Sequence, residues 1–163
     1  MVLILGVDPG SRATGYGVIE VLRNKLIHVD SGTFRLNQPS LQARLLLLHE
    51  NLSSVIERYQ PSEASVEKVF VNRNVDSALK LGHARGVILL SVAKHGLRTS
   101  EYTATQIKRS TVGRGHASKV QVQHMVRAIL KLDRTLSPDA SDALAAAICH
   151  AHIRKSLANI EKA

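Results

Sequence analysis

Tryptophan is absent from this 163-residue chain, three tyrosines and two phenylalanines make up its aromatics, and the one cysteine stands at position 149. Each shortage excludes something. A single cysteine permits no internal disulfide, so the fold cannot rely on covalent staples, and a reducing compartment is expected. Without tryptophan, and without a Lys/Arg-rich helix that carries an aromatic face, the chain lacks the usual means of lying on a membrane. No apolar run approaches the ~20 residues that cross a bilayer, and no charged, apolar-centred leader opens the chain, so a cytoplasmic location with no membrane association is expected. Four prolines and no low-complexity tract mark no linker, and the length suits one domain over residues 1–163.

Positive charge is abundant and unevenly spread. The formal net charge is +9; residues 1–66 balance six basic against six acidic side chains, residues 67–136 hold thirteen against four, and residues 137–163 three of each. An excess confined to one segment is the electrostatic footprint of a surface that meets a polyanion, nucleic acid first.

The apolar pattern predicts strands over Val2–Val7, Tyr16–Leu22 and Lys25–Phe34, joined by a tight Arg-Asn-Lys turn. Ser40 caps a helix whose stripe runs Leu41, Leu45, Leu48, Leu52, Val55 and Ile56 and stops at Pro61. A strand is expected from Ala64 to Phe70 and a helix from Asp76 to Gly96, then a fifth strand over Leu97–Tyr102. Thr103 with Gln106, and Ser118 with Gln121, spell capping boxes for two further helices, and Ser137-Pro138 opens an Ala-rich last helix. The order βββαβαβααα describes an α/β fold: a five-stranded mixed sheet with helices on both faces.

Within this pattern the carboxylates stand out. In LILGVDPGSRATGYGVI an apolar strand ends on Asp8; Glu67 interrupts the strand-like Ala-Ser-Val-Glu-Lys-Val-Phe; Asp139 and Asp142 share one face at the start of the last helix. Each has a local explanation, as a turn former, an edge charge or partners of a helix N-terminus. If the first and fourth strands are neighbours and the last helix crosses their ends, the four converge. Converged acids raise one another's pKa and call for a cation, and with no His or Cys ligand spacing among them that cation is a hard one, Mg²⁺ or Mn²⁺. Such a site suits metal-assisted phosphodiester cleavage. The eight histidines show no zinc spacing and are expected to pack or face solvent.

Four segments, GVDPGSRATGYGVI, VEKVFVNRNVDSALKLGHARG, VGRGHASKVQVQHMV and SPDASDALAAAICH, resemble in order the bacterial crossover-junction endonuclease (RuvC) family, so that the likeness spans nearly the whole chain. The resemblance implies a ribonuclease H-like domain working as a homodimer on four-way (Holliday) junction DNA, with two Mg²⁺ per active site when DNA is bound and Mn²⁺ able to substitute. It implies that Asp8, Glu67, Asp139 and Asp142 are the metal ligands, that Lys119 and Lys108 lie near the scissile phosphate, and that Phe70 reaches bases at the junction centre. Arg73, Lys80 and Arg114 join these as expected DNA contacts, and a RuvA–RuvB branch-migration complex is the implied partner. Two departures are visible, Val7 where isoleucine is common and the polar Ser62, Glu63 and Ser65 before Glu67; Glu63, read as preceding the strand, is the weaker candidate for the site.

The residue chemistry carries part of this independently. Lys119 at a helix start is at the wrong end of the dipole for a cation, which suits an arriving phosphate. The Gly113-Arg114-Gly115 loop either approaches a ligand or merely connects, and Gly82 with Gly86 marks either a dimer contact or close packing of helix on sheet. Two rival readings remain. Asp8-x-Gly10 with Gly15 and Gly17 also fits the phosphate loop of the actin, hexokinase and heat-shock ATPase group, which needs two such domains. A junction-binding module that does not cut would need no acidic set.

Overall fold

A computed structural model describes residues 1–23, 25–69 and 74–160, the last four by backbone alone. Phe70 and Arg73, expected to contact DNA, and Asn24 of the first hairpin turn lie outside the described residues.

Alternation organises the sheet. Strand β1 (Val2–Asp8) pairs antiparallel with β2 (Ala13–Leu22), which pairs antiparallel with β3 (Lys25–Arg35); on its other side β1 runs parallel to β4 (Glu63–Glu67), and β4 parallel to β5 (Arg98–Tyr102). The order is β3-β2-β1-β4-β5. Successive side chains face opposite sides of a sheet. Leu5, Val7, Val18, Ala64 and Val66 therefore meet helices α1 (Leu41–Tyr59) and α2 (Val75–Lys94) through Leu48, Leu52, Val55, Ile56, Ala84, Ile88 and Val92. Ile4 and Ile19 face the other way, toward α3 (Ala104–Val112), α4 (Lys119–Leu130) and α5 (Pro138–Ile160).

Helix α5 lies between the sheet and the α3/α4 pair, so Ala143–Cys149 are buried on every side. That double burial is why this helix is apolar all round where the others are amphipathic. Small residues let it sit very close to the strands. A Cβ on Gly6 would fall 2.0 Å from the Ala143 carbonyl oxygen, one on Gly15 2.0 Å from that of Asp139, and one on Gly17 2.6 Å from the Leu144 side chain. Two of the three glycines that also fitted a phosphate loop, Gly15 and Gly17, are thus covered by a helix of the same chain, while Gly10 is held in a tight turn against the Ala13 carbonyl.

The ends of the elements follow their expected chemistry. Both capping boxes form, at Thr103/Gln106 and Ser118/Gln121, and the Ser137 hydroxyl accepts from Ala140 N–H at the start of α5. Gly113 ends α3 with φ of 86°, a left-handed conformation that glycine adopts freely, so its role is to stop a helix. Strand β4 differs from expectation at both ends. It begins at Glu63, which is in the strand and buried, and it stops at Glu67, after which Lys68 N–H still donates to the Tyr102 carbonyl. The apolar Val69 had extended the strand pattern beyond the end of the pairing.

Candidate active site

Two parallel strands deliver the first pair of acids. Val7 lies opposite Val66, so the next residues along, Asp8 and Glu67, stand side by side at the carboxyl ends of β1 and β4. In α/β sheets that end is where ligands bind. Both acids occupy the face that also carries Gly6 and Ser65, and that face is covered by α5: the Ser65 hydroxyl donates to the Ala146 carbonyl at 2.8 Å. Gly15, paired with Asp8 across the hairpin, touches the Asp139 backbone directly, which brings the first turn of α5 to the mouth of the same cleft.

The result is a cavity of about 260 Å³ lined by Asp8, Glu67, Asp142, Lys108, Lys119, Ala104, Ile107 and Val122. Asp139 is not on its wall, but its charge is felt at Asp8 and Asp142. The boxes that start α3 and α4 place the two lysines. Lys108 lies one turn into α3, and Lys119 is the first residue of α4, its Nζ 3.8 Å from Asp142 Oδ2. Ala104, Ile107 and Val122 supply an apolar wall that the sequence reading did not single out; their spacing from the two caps was the available signal.

The electrostatics show strain in the charge balance. Burial, followed by the charges of Glu67, Asp142 and Asp139, pushes the Asp8 carboxyl from 3.8 up to about 8, against a smaller opposing pull from Lys119. Glu67 is raised by burial and then by Asp142, and Asp142 by burial and then by Asp139, while the two lysines work the other way on both. No hydrogen bond among the described residues engages the Asp8 carboxylate. The turn that follows it is tied instead by Thr14, whose hydroxyl accepts from Gly10 N–H at 3.3 Å and donates to the Gly10 carbonyl at 3.0 Å. Asp8 is therefore not the turn former its Asp-Pro-Gly context allows.

The donor set is all carboxylate oxygen, which fits a hard divalent cation. Among the described residues no three His, Cys, Asp or Glu side chains close around one point. Mg²⁺ makes no such demand: it keeps several waters and takes one or two carboxylates with phosphate oxygens of a substrate. An open, acid-walled cavity with lysines at its edge is the fitting container. Lys80 and Arg114 stand elsewhere. Lys80 is exposed on α2 beside Asp76, and Arg114 is exposed in the loop between α3 and α4. Glu63, the other glutamate of β4, faces a different cluster that includes His150 and Arg154.

Fold and cleft together define a class: a ribonuclease H-like α/β domain whose central parallel strands end in an acidic pocket suited to phosphodiester chemistry. The family model described as Crossover junction endodeoxyribonuclease RuvC matches residues 4–150. The chain belongs to the RuvC family. It is 49% identical over 160 residues to the crossover junction endodeoxyribonuclease RuvC of Hahella chejuensis, covering 98% of this chain and 93% of that one. To the RuvC of Legionella pneumophila (strain Lens) it is 46% identical over 161 residues, covering 98% and 92%. A solved structure of T. thermophilus RuvC in complex with Holliday junction substrate matches with a TM-score of 0.89 at 31% identity, covering 96% of each chain. The yeast mitochondrial Holliday junction resolvase, at 12% identity and a TM-score of 0.66 over 90% of this chain and 76% of that one, shares the fold.

Proposed function

We propose that this protein is a structure-selective endonuclease that resolves four-way DNA junctions, a homodimer placing two symmetric nicks that leave 5′-phosphate and 3′-hydroxyl ends. The observation that carries this is the cavity in which Asp8, Glu67 and Asp142 stand against lysines, with no hydrogen bond among the described residues to the Asp8 carboxylate. Asp8, Glu67, Asp139 and Asp142 would hold Mg²⁺, with Mn²⁺ substituting. The bound ions supply Lewis-acid activation of the phosphate and of the attacking water.

The chain's own groups do the rest. With no cation present Asp8 keeps its proton to about pH 8, so ion binding and proton release are coupled at this carboxyl. Lys119 and Lys108 offer ammonium groups at the cleft wall, where negative charge develops on a phosphate under attack. Ile107 and Val122 exclude water from one side, which strengthens each of these interactions. Affinity comes mainly from the basic excess of residues 67–136 and falls steeply with salt.

The dimer is assigned to α2. Leu79 and Leu90 are exposed on it, and among the described residues a Cβ on Gly82 or Gly86 would meet nothing within 4 Å, which does not fit helix-on-sheet packing. A small-residue face open to solvent suits a second copy, and a C2 pair matches the symmetry of two opposed cuts. A RuvA–RuvB branch-migration partner rests on the family resemblance alone. Among the described residues no helix is long and apolar enough to cross a membrane.

The test is a synthetic four-way junction beside a matched linear duplex, scored for paired incisions with Mg²⁺ and with chelator. Paired, junction-restricted, chelator-sensitive nicks are expected. Persistent binding with no cut would leave a junction-binding module instead.

A further inference from the structure

Beyond the cleft, the opposite end of β4 carries a second buried polar cluster. Glu63 Oε2 accepts from His150 Nε2–H at 2.8 Å, and its Oε1 accepts from Arg98 at 2.5 Å and from Arg154 Nε–H at 3.1 Å. Because the carboxylate can only accept, Nε2 carries a proton, and on its other side His150 Nδ1 shares a hydrogen bond with the Tyr102 hydroxyl at 2.8 Å. Tyr102 is the residue paired with Glu67 across β4 and β5.

These contacts fall into a register. Along β4 the side chains facing α5 are Glu63, Ser65 and Glu67; along α5, running the other way, their partners are His150, Ala146 and Asp142. Two strand residues advance about 6.6 Å, and four helix residues about 6.0 Å. The steps match to within about a tenth, so three rungs form in line: Glu63 with His150, Ser65 with the Ala146 carbonyl, Glu67 with Asp142. The first two rungs are hydrogen-bonded. The third is two acids whose charges oppose each other and which cannot hold themselves together.

We infer that Glu63, Ser65 and His150 form a register clamp that seats α5 on β4 and so fixes the spacing of Asp142 from Glu67, which makes them positioning residues for the reaction at the far end of the strand. The inference rests on the cleft being the metal site. Leu144 and Ile148 of α5 pack in the core with Ile4 and Ile19, and toward β4 the Ser65 and Glu63 hydrogen bonds add fixed polar contacts that tie the helix to that strand in one register. Tyr102 completes the tie by joining His150 to the strand residue beside Glu67.

The experiment compares Glu63→Ala, Glu63→Gln and Ser65→Ala with the unaltered protein. Mn²⁺ affinity is measured by the loss of the free-ion EPR signal, the Mg²⁺ midpoint by single-turnover nicking, and junction affinity by gel shift in chelator. Glu63→Ala is expected to weaken Mn²⁺ binding and raise the Mg²⁺ midpoint at least five-fold while junction affinity stays within two-fold. Glu63→Gln, which keeps an acceptor for His150, is expected to restore both to within about two-fold. Ser65→Ala removes one hydroxyl, leaves the Ala146 carbonyl its helical partner, and covers the case in which Glu63→Ala does not fold; a two- to three-fold change in the same readouts is expected. Folded Glu63→Ala, or Ser65→Ala in its place, with unchanged Mn²⁺ affinity and Mg²⁺ midpoint overturns the clamp. An unaltered protein that binds no Mn²⁺ overturns the reading of the cleft itself, a failure seen in the control and not in the variants.

Discussion

Glu63 and Glu67 lie on one strand and one face, four residues apart, and their surroundings are opposites. At Glu63 burial works to raise the carboxyl, but the His150 hydrogen bond and the Arg154 charge outweigh it and hold the group below its ordinary value near 4.5. At Glu67 burial raises the carboxyl, Asp142 adds to that, and the lysines offset only part. One end of β4 is balanced by cations of the chain itself. The other keeps a surplus of negative charge that only something external removes. Burying an acid with its partners beside it is structure; burying several without enough of them is a site.

The sharpest way to break this contrast is Asp8→Asn. It is expected to lower nicking by about three orders of magnitude or more, with junction affinity unchanged within a few-fold, and at the same time to stabilise the protein. The sign follows from linkage: a carboxyl raised from 3.8 to about 8 favours the folded state when protonated, so its contribution is fully present below 3.8 and is lost as pH rises toward 8. Thermal unfolding should therefore show the variant melting higher by at least about 3 °C at pH 8 and no higher near pH 3. Simultaneous loss of binding and of stability would make Asp8 a structural residue and end the comparison.

Glu63→Ala should do the reverse to stability. Removing the shared acceptor leaves His150 buried without its partner and two guanidinium groups to find water, which costs about 2–3 kcal/mol by denaturant titration. Because the folded-state value of Glu63 is lowered, the stability it contributes is present above pH 4.5 and fades as pH falls below it, opposite in direction to Asp8. A neutral effect at pH 7 would mean that this end of the strand is no better balanced than the other.

Lys119→Ala is expected to slow nicking by about 10- to 100-fold. Lys119 also pulls Asp8, Glu67 and Asp142 downward, so its loss moves the rise of the pH–rate profile to higher pH. An unshifted profile would separate the lysine from the acids. The smallest effects belong to Lys80→Ala and Arg114→Ala, both outside the cleft: junction affinity should fall two-fold or less, and the slope of log affinity against log salt should fall by about one for each residue that touches phosphate.

Much of this was legible in the chain. Capping boxes, the Ser-Pro start of α5 and period-two apolar runs are local signals, because a hydrogen bond or a buried face within a few residues decides them. The acids were legible as candidates, since a charge that interrupts an apolar strand needs a reason. Glu63 was misplaced because the sequence before Glu67 is as polar as a loop; what makes it strand is its pairing with Ile4 of β1 and Arg98 of β5, and what lets its charge be buried there is the pair of partners that α5 brings from about ninety residues away. The meaning of Gly15 and Gly17 was equally out of reach, for a glycine kept small to admit a phosphate and one kept small to admit a helix look alike along a chain.

What the sequence by itself determined is the inventory: which stretches form strands and helices, where the positive charge lies, and that four carboxylates stand where acids are out of place. These depend on neighbours within a turn or two, where the chain's own connectivity sets the distances. The tertiary structure alone decided that β4 runs beside β1, that α5 presses on glycines, and hence that Glu67 meets Asp8 and Asp142 while Glu63 meets His150 and arginines. Those outcomes depend on distances between segments remote in the chain, and such distances are set by which surfaces bury one another.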